Sequence, residues 1–273
     1  MYCQREDFYA DKGIVRFAAQ GRVRYGLWDH GQIRLYDGSP FAGGRPGRAE
    51  IKFADVRILA PCRPSKIVAI GLNYKAHAAE VKKALPTDPM IFLKPSTSVI
   101  GPGEAIVRPL HMSHRVDYEA ELGVVIGRPC AQVDEAAALD YVLGYTCLND
   151  VTARDLQGKD VQYGRAKGFD TFCPLGPIIA TGLNPDALRV RSLVNGETRQ
   201  DSNTNDLIFP VAKLVSFVSQ VMTLKAGDVI ATGTPAGIAP VVDGDVVTIE
   251  LENIGRLNNP VTSRGQAPVK AIA

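Results

Sequence analysis

The chain has 273 residues, 45% apolar and 22% charged, and its 31 lysines and arginines against 29 aspartates and glutamates leave a net charge of +2. That is the composition of a globular protein with room for one large domain plus a small one, and its balanced charge argues against nucleic acid or an anionic membrane as partner. No apolar run approaches the ~18 residues of a membrane span, and five scattered cysteines, with no Cys-x-x-Cys pair and no apolar leader, fit a reduced, cytoplasmic protein.

Glycine and proline together make about 16% of the chain, above the ~12% of an average protein. That excess predicts many short strands. Residues 1–60 read as a small β-rich unit, with alternating runs at 14–17, 23–28 and 32–36 separated by Gly21 and Gly31. Two prolines in 61–65 mark a connector, and a strand apolar on both faces follows at 66–71. A helix is predicted over 73–85, capped by Asn73 and stopped by Pro86, with the loop from Leu85 to Pro89 free to close over a site. Further helices are expected at 134–143, 150–157 and from Pro210 through Met222, and strands at 90–94, 119–126, 178–180, 229–232 and 246–252. Strands and helices do not alternate, so the expected class is α+β with mixed sheets. A catalytic unit is expected over 66–261, and 262–273 reads as an unpatterned tail.

Three acids recur with strand spacing in Val116-Asp117-Tyr118-Glu119-Ala120-Glu121-Leu122. A continuous strand would place all three on one face with neighbours ~6.6 Å apart. Two such charges repel by roughly 2–3 kcal/mol at an effective dielectric near 20, so a strand running into a core calls for a cation beside them. A third segment supplies Asp150 with Arg154 and Gln157, at helical spacing. Three carboxylates form the hard oxygen set preferred by Mg2+ or Mn2+. His77 and Glu80 stand at i and i+3, the spacing by which a carboxylate orients an imidazole for general-base work. The loop Thr232-Gly233-Thr234-Pro235-Ala236-Gly237 offers amides to an anion, and Lys167 stands between Gly164 and Gly168. His30, His111 and His114 sit in polar loops and carry no such pattern.

In order along the chain, Gly71-Leu72-Asn73-Tyr74 with His77 and Glu80, Phe92-Leu93-Lys94-Pro95, Asp117 through Leu122, Asn149-Asp150 through Gln157, Lys167-Gly168-Phe169-Asp170, and Gly227-Asp228 through Gly237 resemble the fumarylacetoacetate hydrolase family. The resemblance implies a mixed β-sandwich roll, a homodimer, and Mg2+ or Mn2+ held by Glu119, Glu121 and Asp150, with Asp117 outside the ligand set. It implies a small β-diketo or 2-oxo acid as substrate, with Arg154, Gln157 and Thr234 as binding residues and His77, Glu80 and Lys167 as catalytic ones. Cleavage of a C–C bond by hydrolysis, as in acylpyruvases, is the first expectation. Isomerisation, tautomerisation or decarboxylation of a 2-oxo diacid is the alternative, and a non-catalytic metal-binding protein a weaker one.

Overall fold

The computed structural model describes residues 3–263. An N-terminal meander runs through β1 (Lys12–Ala19), β2 (Arg22–Asp29), β3 (Gln32–Asp37) and β4 (Arg45–Ile51), and β5 (Arg57–Leu59) returns to pair with β1. There follow β6 (Ile67–Gly71), α1 (Lys75–Glu80), β7 (Met90–Lys94), β8 (Val99–Ile100), β9 (Ile106–Val107) and β10 (Val116–Asp117). The middle of the chain holds β11 (Ala120–Ile126), β12 (Val142–Asn149), β13 (Thr152–Ala153), α2 (Arg154–Asp160), α3 (Gly164–Gly168) and β14 (Cys173–Ala180). Last come β15 (Arg189–Val194), β16 (Glu197–Asn203), α4 (Val211–Val221), β17 (Val229–Ala231), β18 (Val246–Leu251) and β19 (Gly255–Thr262).

Two sheets carry the architecture. A large mixed sheet runs β4-β3-β2-β1-β14-β12-β11-β17-β6-β7, and a smaller one runs β16-β15-β18-β19-β9. The small sheet lies against β11, β12 and β14 of the large one, so the apolar residues of both inner faces form one core. Strands β6, β11, β14 and β17 are buried almost throughout, which is why they read as continuous apolar runs. The meander joins the same sheet through β1 and β14, where Gly13 pairs with Ala180. This is the α+β, sheet-rich roll that the sequence predicts.

Three helices differ from expectation. The one expected over 73–85 ends at Glu80, because Lys82 turns left-handed (φ 53°) and closes the end with bonds from the Lys82 and Lys83 amides to the Ala79 and Ala78 carbonyls. Without a glycine there, the stop left no mark in the sequence. Asn73 caps nothing; its side chain donates to the carbonyls of Phe209 and Thr232 and accepts from the Phe209 amide, tying β6 to two distant loops. The segment expected as a helix at 134–143 is a 3-10 stretch, Glu135–Tyr141, since Val142 is already paired with Ile126 in β12. The helix expected from 150 begins only at Arg154, because Thr152 and Ala153 pair with Asp117 and Val116. The helix after Pro210 stands as expected, burying Val211, Leu214, Val215 and Val218 on one stripe. Residues 264–273, most of the expected tail, lie outside the described residues.

Candidate active site

The acids do not sit on one unbroken strand. The chain leaves β10 after Asp117 and enters β11 at Ala120, which separates Asp117 from the other two. Asp117 instead receives Arg115 at 3.0 Å and Arg154 Nε at 2.9 Å. Glu119 and Glu121 flank the start of β11, and the Asp150 amide donates to the Glu119 carbonyl at 2.9 Å, so Asp150 arrives by backbone pairing of neighbouring segments. Glu119, Glu121 and Asp150 each offer an oxygen within 4.8 Å of the others, and all three are at least 95% buried.

Lys167 and Arg154 offset these charges unevenly. Lys167 Nζ donates to Glu119 Oε2 at 2.8 Å and to Asp150 Oδ2 at 2.5 Å, and Arg154 bonds the other Glu119 oxygen. Burial alone would raise Glu119, yet Lys167 and Arg154 bring it down to about 2. Lys167 is lifted above its ordinary value because Asp150 and Glu119 outweigh its burial. Glu121 has no ion-pair partner among the described residues; burial, then Asp150 and Glu119, push it well above its ordinary value. The Gly233 amide donates to it at 2.8 Å. Gly233 (φ 102°) must be glycine, since a Cβ there would meet the Asn73 Cβ at 2.8 Å.

The donor set suits a divalent ion. Asp150 Oδ1 is fully enclosed and receives no aligned hydrogen bond. Lys94 Nζ forms an ion pair with it at 2.6 Å and also donates to the carbonyls of Lys167 and Val151. Oxygens of Asp150, Glu119 and an uncompensated Glu121 within 4.8 Å of one another make a hard-oxygen cradle, with Lys94 and Lys167 holding part of its charge. Lys94, fully buried, is the component that sequence reasoning passed over. It belongs to the quoted Phe-Leu-Lys-Pro motif, but its chemistry depends on Asp150, brought in from a distant part of the chain.

Acid stability carries a signature of this cluster. A carboxylate held at about 2 against an ordinary 4.5 contributes stability that is complete above 4.5 and is lost as pH falls towards 2. The melting temperature of metal-free protein is expected to drop across that window, and more shallowly in Glu119→Gln; equal slopes would show that the ion pairs of Glu119 do not hold in solution.

A cavity of about 230 Å³ opens beside the acids, lined among others by His77, Glu119, Glu121, Asp150, Arg154, Gln157, Lys167 and Thr234. Glu80 stands behind His77: its Oε2 is 2.8 Å from His77 Nδ1, and its Oε1 accepts from the Gly237 amide at 3.0 Å. With Nδ1 donating to that carboxylate, the Nε2 lone pair is left free. Arg154 and Gln157 lie one turn apart on α2 and bond each other at 2.5 Å. The Thr234 hydroxyl donates to the Ala120 carbonyl and accepts from Gln200, so its hydrogen is already engaged. Likewise the Gly233 and Gly237 amides cradle Glu121 and Glu80, carboxylates of the protein itself. Gln200, which also donates to the Pro235 carbonyl, had no sequence signal.

A family profile described as fumarylacetoacetate hydrolase C-terminal matches residues 66–262, and one described as Rv2993c-like N-terminal matches 14–61. An oxaloacetate tautomerase of Bacillus subtilis, YisK, is 39% identical over 76% of this chain and 74% of its own. The structure of a 2-hydroxyhepta-2,4-diene-1,7-dioate isomerase from Mycobacterium marinum is 43% identical and superposes with a TM-score of 0.86 over 93% of this chain and all of that one. A maleylpyruvate hydrolase from Sphingobium, in complex with manganese(II) and pyruvate, is 31% identical with a TM-score of 0.76 over 92% and 100%. No helix among the described residues is long and apolar enough to cross a membrane. With its profile spanning most of the chain and relatives this similar, the chain belongs to the fumarylacetoacetate hydrolase family of enzymes.

Proposed function

We propose that the protein catalyses metal-assisted proton transfer next to the carbonyl of a small 2-oxo diacid, as a tautomerase or double-bond isomerase. The observation that carries this reading is the oriented imidazole of His77 in the wall of the same cavity as the three carboxylates. Proton transfer asks for one base beside a polarised carbonyl, and the site has both parts. Relatives named as an oxaloacetate tautomerase and a hydroxyhepta-diene-dioate isomerase, at 39% and 43% identity, support the same choice.

Bound by Glu119, Glu121 and Asp150, Mg2+ or Mn2+ would supply Lewis-acid polarisation of the 2-oxo group and fix the substrate carboxylate beside it. His77 Nε2 takes the proton from the carbon next to the carbonyl, and the electron pair moves into the new C=C bond, leaving an enolate oxygen. Glu80 holds the imidazolium so formed. Arg154 and Lys167 stabilise the enolate charge, and Gln157 orients the oxygen. Returning the proton to oxygen completes tautomerisation; returning it to a conjugated carbon completes isomerisation. A contact from Thr234 falls to its backbone amide, since its hydroxyl hydrogen is engaged.

Hydrolysis of a C–C bond is the second reading, favoured by the same His77–Glu80 pair, which can deprotonate water instead. The deciding experiment incubates metal-stripped protein with oxaloacetate, an acylpyruvate and a hydroxydienedioate in D2O, with and without Mg2+ or Mn2+. Metal-dependent deuterium entry at the carbon next to the carbonyl, with the carbon skeleton intact, is expected. Release of two acids would mark a hydrolase. Neither exchange nor cleavage with either metal would refute both readings.

A further inference from the structure

The cavity wall changes character from its closed end to its mouth. At the closed end lie the acids and Lys167, all at least 95% buried. Half-buried Leu72, Phe92 and Ile238 follow, and the Tyr163 ring packs edge-on against Phe92 at 5.4 Å between centroids. At the open end stand Val81 and Lys83, both exposed. The wall thus combines a buried carboxylate cluster, half-buried apolar side chains and an exposed lysine.

Lys83 differs from the other cations of this wall. Lys167 is bound to Glu119 and Asp150, and Arg154 to Asp117 and Glu119. Among the described residues no carboxylate lies within ion-pair distance of Lys83. Its backbone is fixed all the same: its amide closes the end of α1 on the Ala78 carbonyl, which holds the residue in the cavity wall. A rim lysine without a counter-ion, set one apolar collar away from a cation site, complements a ligand with an anion at each end.

We propose that Lys83 is a specificity-determining residue that binds the second carboxylate of an elongated, unsaturated 2-oxo diacid. The apolar collar calls for a run of conjugated carbon between the two ends, so longer unsaturated diacids should be preferred over oxaloacetate and over monoacids of equal length. This rests on the 2-oxo acid reading of the site above.

The test compares Lys83→Met and Lys83→Arg with the unmodified protein. The substrates are a seven-carbon hydroxydienedioate and the monoacid in which a methyl group replaces its far carboxylate. An exposed ion pair should shift KM by roughly two- to fivefold with kcat within about twofold, the pattern of binding made equally in ground and transition states. Lys83→Met is expected to show that rise for the diacid alone, Lys83→Arg to restore it, and added salt to erase it. Equal losses on diacid and monoacid, or none on either, would overturn the assignment. Calorimetry with 2-oxoheptanedioate and 2-oxoheptanoate reads binding without turnover. If neither acid is transformed but the diacid still loses affinity in Lys83→Met, the reaction assigned above fails and the role of Lys83 stands. If turnover is normal and affinities are unchanged, Lys83 is not the determinant.

Discussion

Replacing Glu121 by glutamine is expected to lower turnover by about 10³-fold while raising the melting temperature of the metal-free protein. Both effects have one cause. Glu121 lies buried beside Glu119 and Asp150 and, unlike them, has no lysine or arginine within ion-pair distance among the described residues. In the absence of a cation its charge is repelled by two neighbours and cut off from water, so an isosteric amide relieves the fold. With a cation present the same charge is the ligand that nothing else neutralises. Losing several kcal/mol of carbonyl polarisation corresponds to about three powers of ten in rate. The check is a melting curve in chelator beside a rate titration with Mg2+ and Mn2+. In the unmodified protein, metal should raise the melting temperature and chelation should stop turnover. Full activity in excess chelator would remove the metal from the mechanism.

His77→Ala is expected to reduce proton exchange at the substrate carbon by ~10²- to 10⁴-fold, the range for a general base, with metal affinity unchanged. Glu80→Gln should cost less, since the imidazole stays in place and only its charged form loses a partner. If His77→Ala exchanged deuterium at the normal rate, the proton would be leaving by another route.

The site was more legible than the fold around it, and the reasons are local. Glu119 and Glu121 declare themselves through i,i+2 spacing, and His77 with Glu80 through i,i+3, because their partners are near in sequence. Asp150 was nominated as a third carboxylate at helical spacing from Arg154 and Gln157; that spacing fails, since Asp150 sits ahead of α2. Lys94 could not be assigned, because what makes a buried lysine meaningful is the carboxylate beside it. Strands β4 and β16 carry mostly exposed side chains on both faces, so they lack the alternation that betrays a half-buried strand. The stop of α1 was missed because a lysine holds the left-handed position usually given to glycine.

The loop from Thr232 to Ile238 grips both halves of the chemistry, Glu121 through Gly233 and Glu80 through Gly237. Covalent chain only a few residues long therefore acts as a gauge block between the cation cradle and the proton acceptor. Side-chain rotation at either end cannot by itself alter that separation. A lengthened or shortened loop would detune both at once, so substrate range has room to drift at the rim while the reacting geometry does not.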